Sequence, residues 1–149
     1  MNAELRDLYQ EVIIDHNRNP RNSGKLAAAN RSAQGFNPLC GDKLTLYLKI
    51  VNDKIIDASF QGCGCAISTA SASLMTEQIK GKTLTQTAAL FSTFHQLIVE
   101  DKAVDSSDLG KITVLSGIRE FPSRIKCATL AWHTLHAALE CEEMAVSTE

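Results

Sequence analysis

Residues 43–51, KLTLYLKIV, set the tightest limit on what this chain can become: Leu44, Leu46, Leu48 and Ile50 alternate with Thr45, Tyr47 and Lys49. A period of two belongs to a strand with one buried and one exposed face, so the chain needs a sheet and something to cover it. Asn52 and Asp53 follow at once and suit a tight turn, and IIDASFQ returns with Ile56, Ala58 and Phe60 on one face. That is the pattern of an antiparallel hairpin. A weaker strand signal, residues 32–36, precedes it.

The cover is helical. Leu5, Leu8, Tyr9, Val12 and Ile13 recur at helical spacing and predict an amphipathic helix over residues 3–16, ended by the turn-rich HNRNPRNSGK. Beyond residue 66 strand patterning does not return. Ile67, Ala70, Leu74 and Gln78 trace a helix stopping near Gly81, and Thr83 with Gln86 has capping-box spacing before a helix faced by Leu84, Ala88, Phe91 and Ile98. Residues 99–108, VEDKAVDSSD, read as an acidic exposed connection, and LGKITVLSGI allows a short helix. Pro122 and Ser123 announce the last helix, striped by Ile125, Ala128, Trp132, Leu135 and Leu139. Strands first and helices afterwards predict an α+β fold: a three-stranded antiparallel sheet with helices packed on one face. With 149 residues and 44% apolar content, one domain spanning 1–149 is expected.

A net charge of -2 with scattered Lys and Arg gives no footprint for nucleic acid or an anionic membrane, so neither is expected as a partner. The acidic opening MNAELRDLYQEVIIDH resembles no secretory signal, and no run reaches the roughly 18 apolar residues of a membrane span, which predicts a cytoplasmic protein. Five cysteines cannot all pair, and a reducing compartment disfavours disulfides. Metal or sulfur chemistry is the leading use for them; the alternative is that they are small buried hydrophobes.

Cys40 and Asp42 are expected in an extended segment entering a strand, where side chains two apart point the same way, with Gly41 allowing close backbone approach. The hairpin brings QGCGC, with Cys63 and Cys65, back beside them. Cys65 precedes one helix and Cys127 lies in the first turn of another, positions where unpaired N–H groups and the helix dipole favour thiolate. Three thiolates and a carboxylate suit tetrahedral zinc, and iron would also accept them.

CGD at 40–42, GCGCAISTASAS at 62–73, RIKCATLAW at 124–132 and LYQEVIIDHNRNPRNSG at 8–24 resemble, in order and spacing, the U-type iron-sulfur cluster assembly proteins: IscU, SufU and the N-terminal part of NifU. Lys126 in place of a histidine before Cys127, the extra segment at 99–120 and the missing LPPVK motif place the resemblance nearest the SufU branch. The resemblance implies zinc held by Cys40, Asp42, Cys65 and Cys127, and sulfur accepted from a SufS-type cysteine desulfurase for downstream SUF assembly proteins. Cys40 would attack the desulfurase persulfide once a partner side chain had taken its coordination position, with Arg124 stabilising thiolate or persulfide charge. The alternative implied is a scaffold building a transient Fe-S cluster on the same ligands; a third is a structural zinc protein that only activates the desulfurase. IscU-like proteins place their middle cysteine at the Cys63 position and SufU-like proteins at Cys65, which leaves Cys63 as an auxiliary thiol. His16, His95, His133 and His136 stand outside these ligand positions, Cys141 reads as a partly exposed thiol without function, and Trp132 as a core anchor.

Overall fold

The hairpin forms because Asn52 and Asp53 adopt positive φ, 53° and 59°, giving the mirror-image two-residue turn whose twist matches that of the flanking strands. This computed structural model describes residues 3–100, 107–140 and 146–147. The turn joins β2 (Asp42–Val51) to β3 (Lys54–Cys63), and β1 (Arg31–Asn37) pairs antiparallel with the other edge of β2. A two-residue β4 (Val146–Ser147) adds parallel to β1, giving the order β3-β2-β1-β4. The three antiparallel strands match expectation; the short fourth has no signal in the sequence.

Leu44, Leu46 and Leu48 are buried, as their alternation requires. On β3 the expected face needs correction. Lys49 pairs with Asp57 but Ile50 pairs with Ile55, so β3 carries an extra residue and bulges. Ile55 is therefore fully buried with Ala58 and Phe60, while Ile56 is turned out and 50% exposed.

Four α-helices cover the buried face: α1 (Ala3–Arg18), α2 (Ala66–Ile79), α3 (Leu84–Ile98) and α4 (Ile125–Leu139). In α1 Tyr9, Ile13 and His16 are buried, whereas Leu8, expected inside, is 46% exposed. The stripe is thus rotated toward α2. Helix α2 packs against α1, α4 and β3, so nearly its whole circumference is buried and its small residues replace a simple stripe. Its buried hydroxyls are paired, Ser71 Oγ donating across to the Ala128 carbonyl of α4 at 2.6 Å and Thr76 Oγ1 to the Ser73 carbonyl at 2.9 Å.

Thr83 and Gln86 form both halves of the expected capping box on α3. That helix buries Thr87, Leu90, Phe94, Leu97 and Ile98; Ala88 is exposed, and Leu84 and Phe91 are only partly covered. The buried face is fixed by Phe94 stacking on Trp132 of α4 at 4.2 Å. Residues 101–106 of the acidic connection and Cys141 lie outside the described residues. LGKITVLSGI falls in a 3₁₀ segment (Ser107–Glu120), broken at Gly110, that buries Leu109, Ile112, Val114, Leu115 and Ile118. No described helix is long and apolar enough to cross a membrane.

Two contacts lock the helices in place. Helix α4 lies so close to β1 that a Cβ at Gly35 would overlap the Thr134 hydroxyl and stand 3.0 Å from Leu130 Cδ1. Buried His16 joins α1 to α2 through Nδ1 and Ser73 Oγ, 2.7 Å apart. Ser73 Oγ also accepts the Arg21 backbone N–H at 2.9 Å, so the same hydroxyl ties the turn after α1 to α2.

Gly35→Ala should cost about 1–3 kcal/mol by overpacking, seen as a lower urea midpoint with an unchanged m-value. Burial, followed by the Arg21 charge, holds the His16 pKa below its ordinary value. The unfolded chain therefore takes the proton first, and the stability His16 contributes is complete above the unfolded imidazole pKa of about 6.5 and is lost as pH falls through the lower folded value. The melting temperature of the metal-free protein should fall on acidification from neutrality, with a shallower fall in His16→Gln.

Candidate metal centre

Asn37 and Asp42 pair across the β1–β2 hairpin, and the four residues between them make its turn. Cys40 thus sits on a turn, not in the extended segment expected, its N–H donating to the Asn37 carbonyl at 3.3 Å. Gly41 supplies positive φ, 71°, with open space where a Cβ would lie, so its role is the turn and not close backbone approach.

Cys40 and Asp42 converge as expected, and α4 delivers the third group. Cys127, third residue of α4, is fully buried and its thiol meets Cys40 Sγ at 3.1 Å. Donor atoms of Cys40, Asp42 and Cys127 all lie within 4.8 Å of one another. Asp42 is 1% exposed, and its Oδ1 accepts the Cys65 backbone N–H at 2.8 Å. Gly64 permits this approach, since a Cβ there would stand 2.6 Å from Asp42 Oδ1.

Cys65 is the N-cap of α2, with Sγ accepting the Ser68 N–H at 3.4 Å. Its thiol stands outside the compact group of three yet still acts on Cys127 by charge and hydrogen bonding. Cys63 pairs with Lys43 in the β2–β3 register, and strand alternation turns both onto the exposed sheet face, opposite the side where Asp42 is buried. The two cysteines of QGCGC therefore face different worlds.

Electrostatics show what the cluster lacks. The expected helix-terminus preference for thiolate is overridden at Cys127, whose pKa is driven far up by burial, then by the hydrogen bond with Cys40 and by Cys65 and Asp42. Four groups that become anions on deprotonation crowd one place, and a cation would relieve them. Two thiols and a carboxylate in mutual reach, with a third thiol adjacent, are a donor set that zinc accepts. Exposed Arg124 is the nearest counter-charge: Nη1 lies 3.5 Å from Cys40 Sγ, and its pKa is raised by hydrogen bonding to Cys127 first and then by the three cysteine charges.

Residues that sequence reasoning missed complete the surroundings. Asn37 Nδ2 donates to Asp42 Oδ2 at 3.1 Å and to Cys127 Sγ at 3.4 Å. Tyr9, read only as core, lies near enough to Cys65 and Arg124 to feel both, its pKa raised mainly by burial. The Asn-Pro step three residues before Cys40 was the available signal for Asn37; Tyr9 offered none beyond its place in a stripe. Histidines His95, His133 and His136 surround Phe91, away from the cluster.

The chain is 45% identical over 144 residues to the zinc-dependent sulfurtransferase SufU of Bacillus subtilis strain 168, covering 95% of this chain and 96% of that protein. It is 39% identical over 138 residues to the iron-sulfur cluster assembly scaffold protein IscU of Streptococcus pyogenes serotype M1, covering 93% and 86% respectively. The crystal structure of a protein assigned as an iron-sulfur cluster assembly scaffold for the SUF system, from Fervidobacterium islandicum AW-1, superposes with a TM-score of 0.82 at 38% identity, covering 90% of this chain and 98% of that one. Residues 8–128, which include Cys40, Asp42, Cys65 and Cys127, match the NifU-like N-terminal domain, and the chain belongs to that family.

Proposed function

We propose that this chain is an iron-sulfur cluster assembly protein working as a zinc-dependent sulfur acceptor for a SufS-type cysteine desulfurase, with Cys40, Asp42, Cys65 and Cys127 as ligands. The observation carrying this reading is a compact Cys40–Asp42–Cys127 group in which two members are buried and the third, Cys40, stands on a turn open to a partner. Similarity to a relative named a zinc-dependent sulfurtransferase supports the choice of metal and reaction.

Zinc, when bound, keeps the thiols deprotonated and holds them together without redox chemistry of its own. With zinc bound, Cys40 would be the ligand open to replacement by a partner side chain. Its thiolate attacks the outer sulfur of the desulfurase persulfide; a new S–S bond forms on Cys40, the donor S–S bond breaks, and the electron pair leaves on the desulfurase thiolate. The sulfane sulfur keeps its proton and no external oxidant or reductant enters. Arg124, beside Cys40 Sγ, sets a positive charge next to the sulfur that carries the negative one. Leu39, 71% exposed, and Pro122, Ser123 and Lys126 line the same recess as Cys40 and Arg124, so a partner approaching Cys40 meets them first. The passage of sulfur to downstream SUF assembly proteins belongs to the same reading.

The streptococcal relative named as a scaffold favours a second reading, in which a transient Fe-S cluster is built on the same residues. Incubating the chain with cysteine and a cysteine desulfurase, then weighing it intact with metal content measured in parallel, separates the two. Sulfur transfer gives a persulfide adduct on the zinc form; scaffolding gives charge-transfer absorbance only after anaerobic reconstitution with iron.

In that assay Cys40→Ala should accept no sulfur, and an undiminished adduct would remove Cys40 as acceptor. Cys65→Ser should lose stoichiometric zinc while Cys63→Ser retains it, and the opposite pattern in metal analysis would reverse the assignment of the two thiols.

A further inference from the structure

Asn37 closes β1 directly opposite Asp42, and its side chain is 0% exposed. Both hydrogens of its amide nitrogen are used, one on Asp42 Oδ2 at 3.1 Å and one on Cys127 Sγ at 3.4 Å. Its carbonyl oxygen Oδ1 is buried with no hydrogen-bond partner among the described residues. The reversed amide would set that oxygen against a carboxylate and a thiol sulfur with no nitrogen donor between them, so the observed orientation is the one the surroundings allow. Asn37 thus spends both amide hydrogens on Asp42 and Cys127 while its own acceptor goes unpaired, an uneven use of a buried amide. What Asn37 supplies must therefore lie on its nitrogen side.

We infer that Asn37 is a positioning residue that presets Asp42 and Cys127 for the metal and leaves Cys40 as the ligand that can be exchanged. Asp42 is held at both oxygens, Oδ2 by Asn37 and Oδ1 by the Cys65 N–H, so its carboxylate is fixed from β1 and from the start of α2. Cys127, rooted in α4, is tied to the same amide. Cys40 has no backbone or amide donor on its sulfur among the described residues; its contacts are the Cys127 thiol and exposed Arg124. Two ligands from different elements are thus joined by one amide while the third rides on a turn. Groups that orient metal ligands in this way are commonly worth about 10–100-fold in metal affinity.

This inference rests on zinc binding at these residues, and the experiment keeps the two apart. Zinc affinity is measured by chelator competition on the full chain, unsubstituted and as Asn37→Leu and Asn37→Ser, with cobalt-substituted absorption spectra and metal-free melting curves alongside. Asn37→Leu, which strips the amide donor from Asp42 Oδ2, should still fold metal-free though with a lowered melting temperature, bind zinc about 10–100-fold more weakly, and show shifted cobalt bands; Asn37→Ser, keeping one donor, should fall between. A zinc affinity within twofold of the unsubstituted chain with superimposable cobalt spectra would overturn the inference. So would loss of metal-free folding in both variants, which would assign Asn37 to the fold alone. Should Cys127→Ser bind zinc as tightly as the unsubstituted chain, the proposed function itself fails.

Discussion

The approach of α4 to the sheet at Gly35 is the contact on which both the core and the metal centre depend. With a hydrogen where any other residue has a Cβ, the helix settles until the Thr134 hydroxyl, itself bonded to the Leu130 carbonyl at 2.8 Å, occupies that space. At this depth Trp132 is buried against Phe94, and the first turn of the same helix carries Cys127 down to the end of β1 and β2. Helix depth and ligand position are one degree of freedom: moving α4 outward would open the core and withdraw Cys127 from Asn37 and Asp42 together.

Placing acidic groups under this helix has an electrostatic cost that the fold does not meet alone. The N-terminal end of α4 offers partial positive charge, yet burial and the neighbouring Cys40, Cys65 and Asp42 act more strongly and keep the Cys127 proton in place. A helix dipole is worth about 0.3–1 kcal/mol near the surface, whereas desolvation and like charges can move a buried group by several pKa units. Pre-organisation is therefore uneven: Asp42 and Cys127 are restrained by buried donors, while Cys40 has only a neighbouring thiol and a solvent-exposed guanidinium.

Much of this was legible in the residues. The leucine alternation of β2, the Asn-Asp turn and the Thr83–Gln86 capping box follow from local periodicity and spacing, whereas the meeting of Cys127 with Cys40 and Asp42 was implied by the family resemblance. What escaped was set by neighbours. Ile56 points outward because one inserted residue in β3 resets the alternation, and an insertion relative to a partner strand leaves no mark in the strand's own composition. Leu8 and Ala88 are apolar at helical spacing but lie on faces that α2 and α4 do not reach. Asn37 carries no pattern of its own in the sequence beyond its place before Pro38; its contacts with Asp42 and Cys127 arise only when β1 is paired with β2 and α4 is laid across them.

Strand geometry also explains how two cysteines separated by one glycine come to differ. If β3 continued with regular alternation through residue 65, Cys63 and Cys65 would share a face. The strand instead ends at Cys63, still in register with Lys43 and facing outward, and the chain leaves the sheet at Gly64. Gly64 lets the backbone pass close against Asp42, so Cys65 emerges inside, its N–H on the carboxylate and its sulfur capping α2. The glycine between them therefore does more than separate two thiols: it is the point where the chain crosses from the open face of the sheet to the helical side. Only the thiol beyond that crossing can share a charge environment with Cys40 and Cys127, whatever metal they hold.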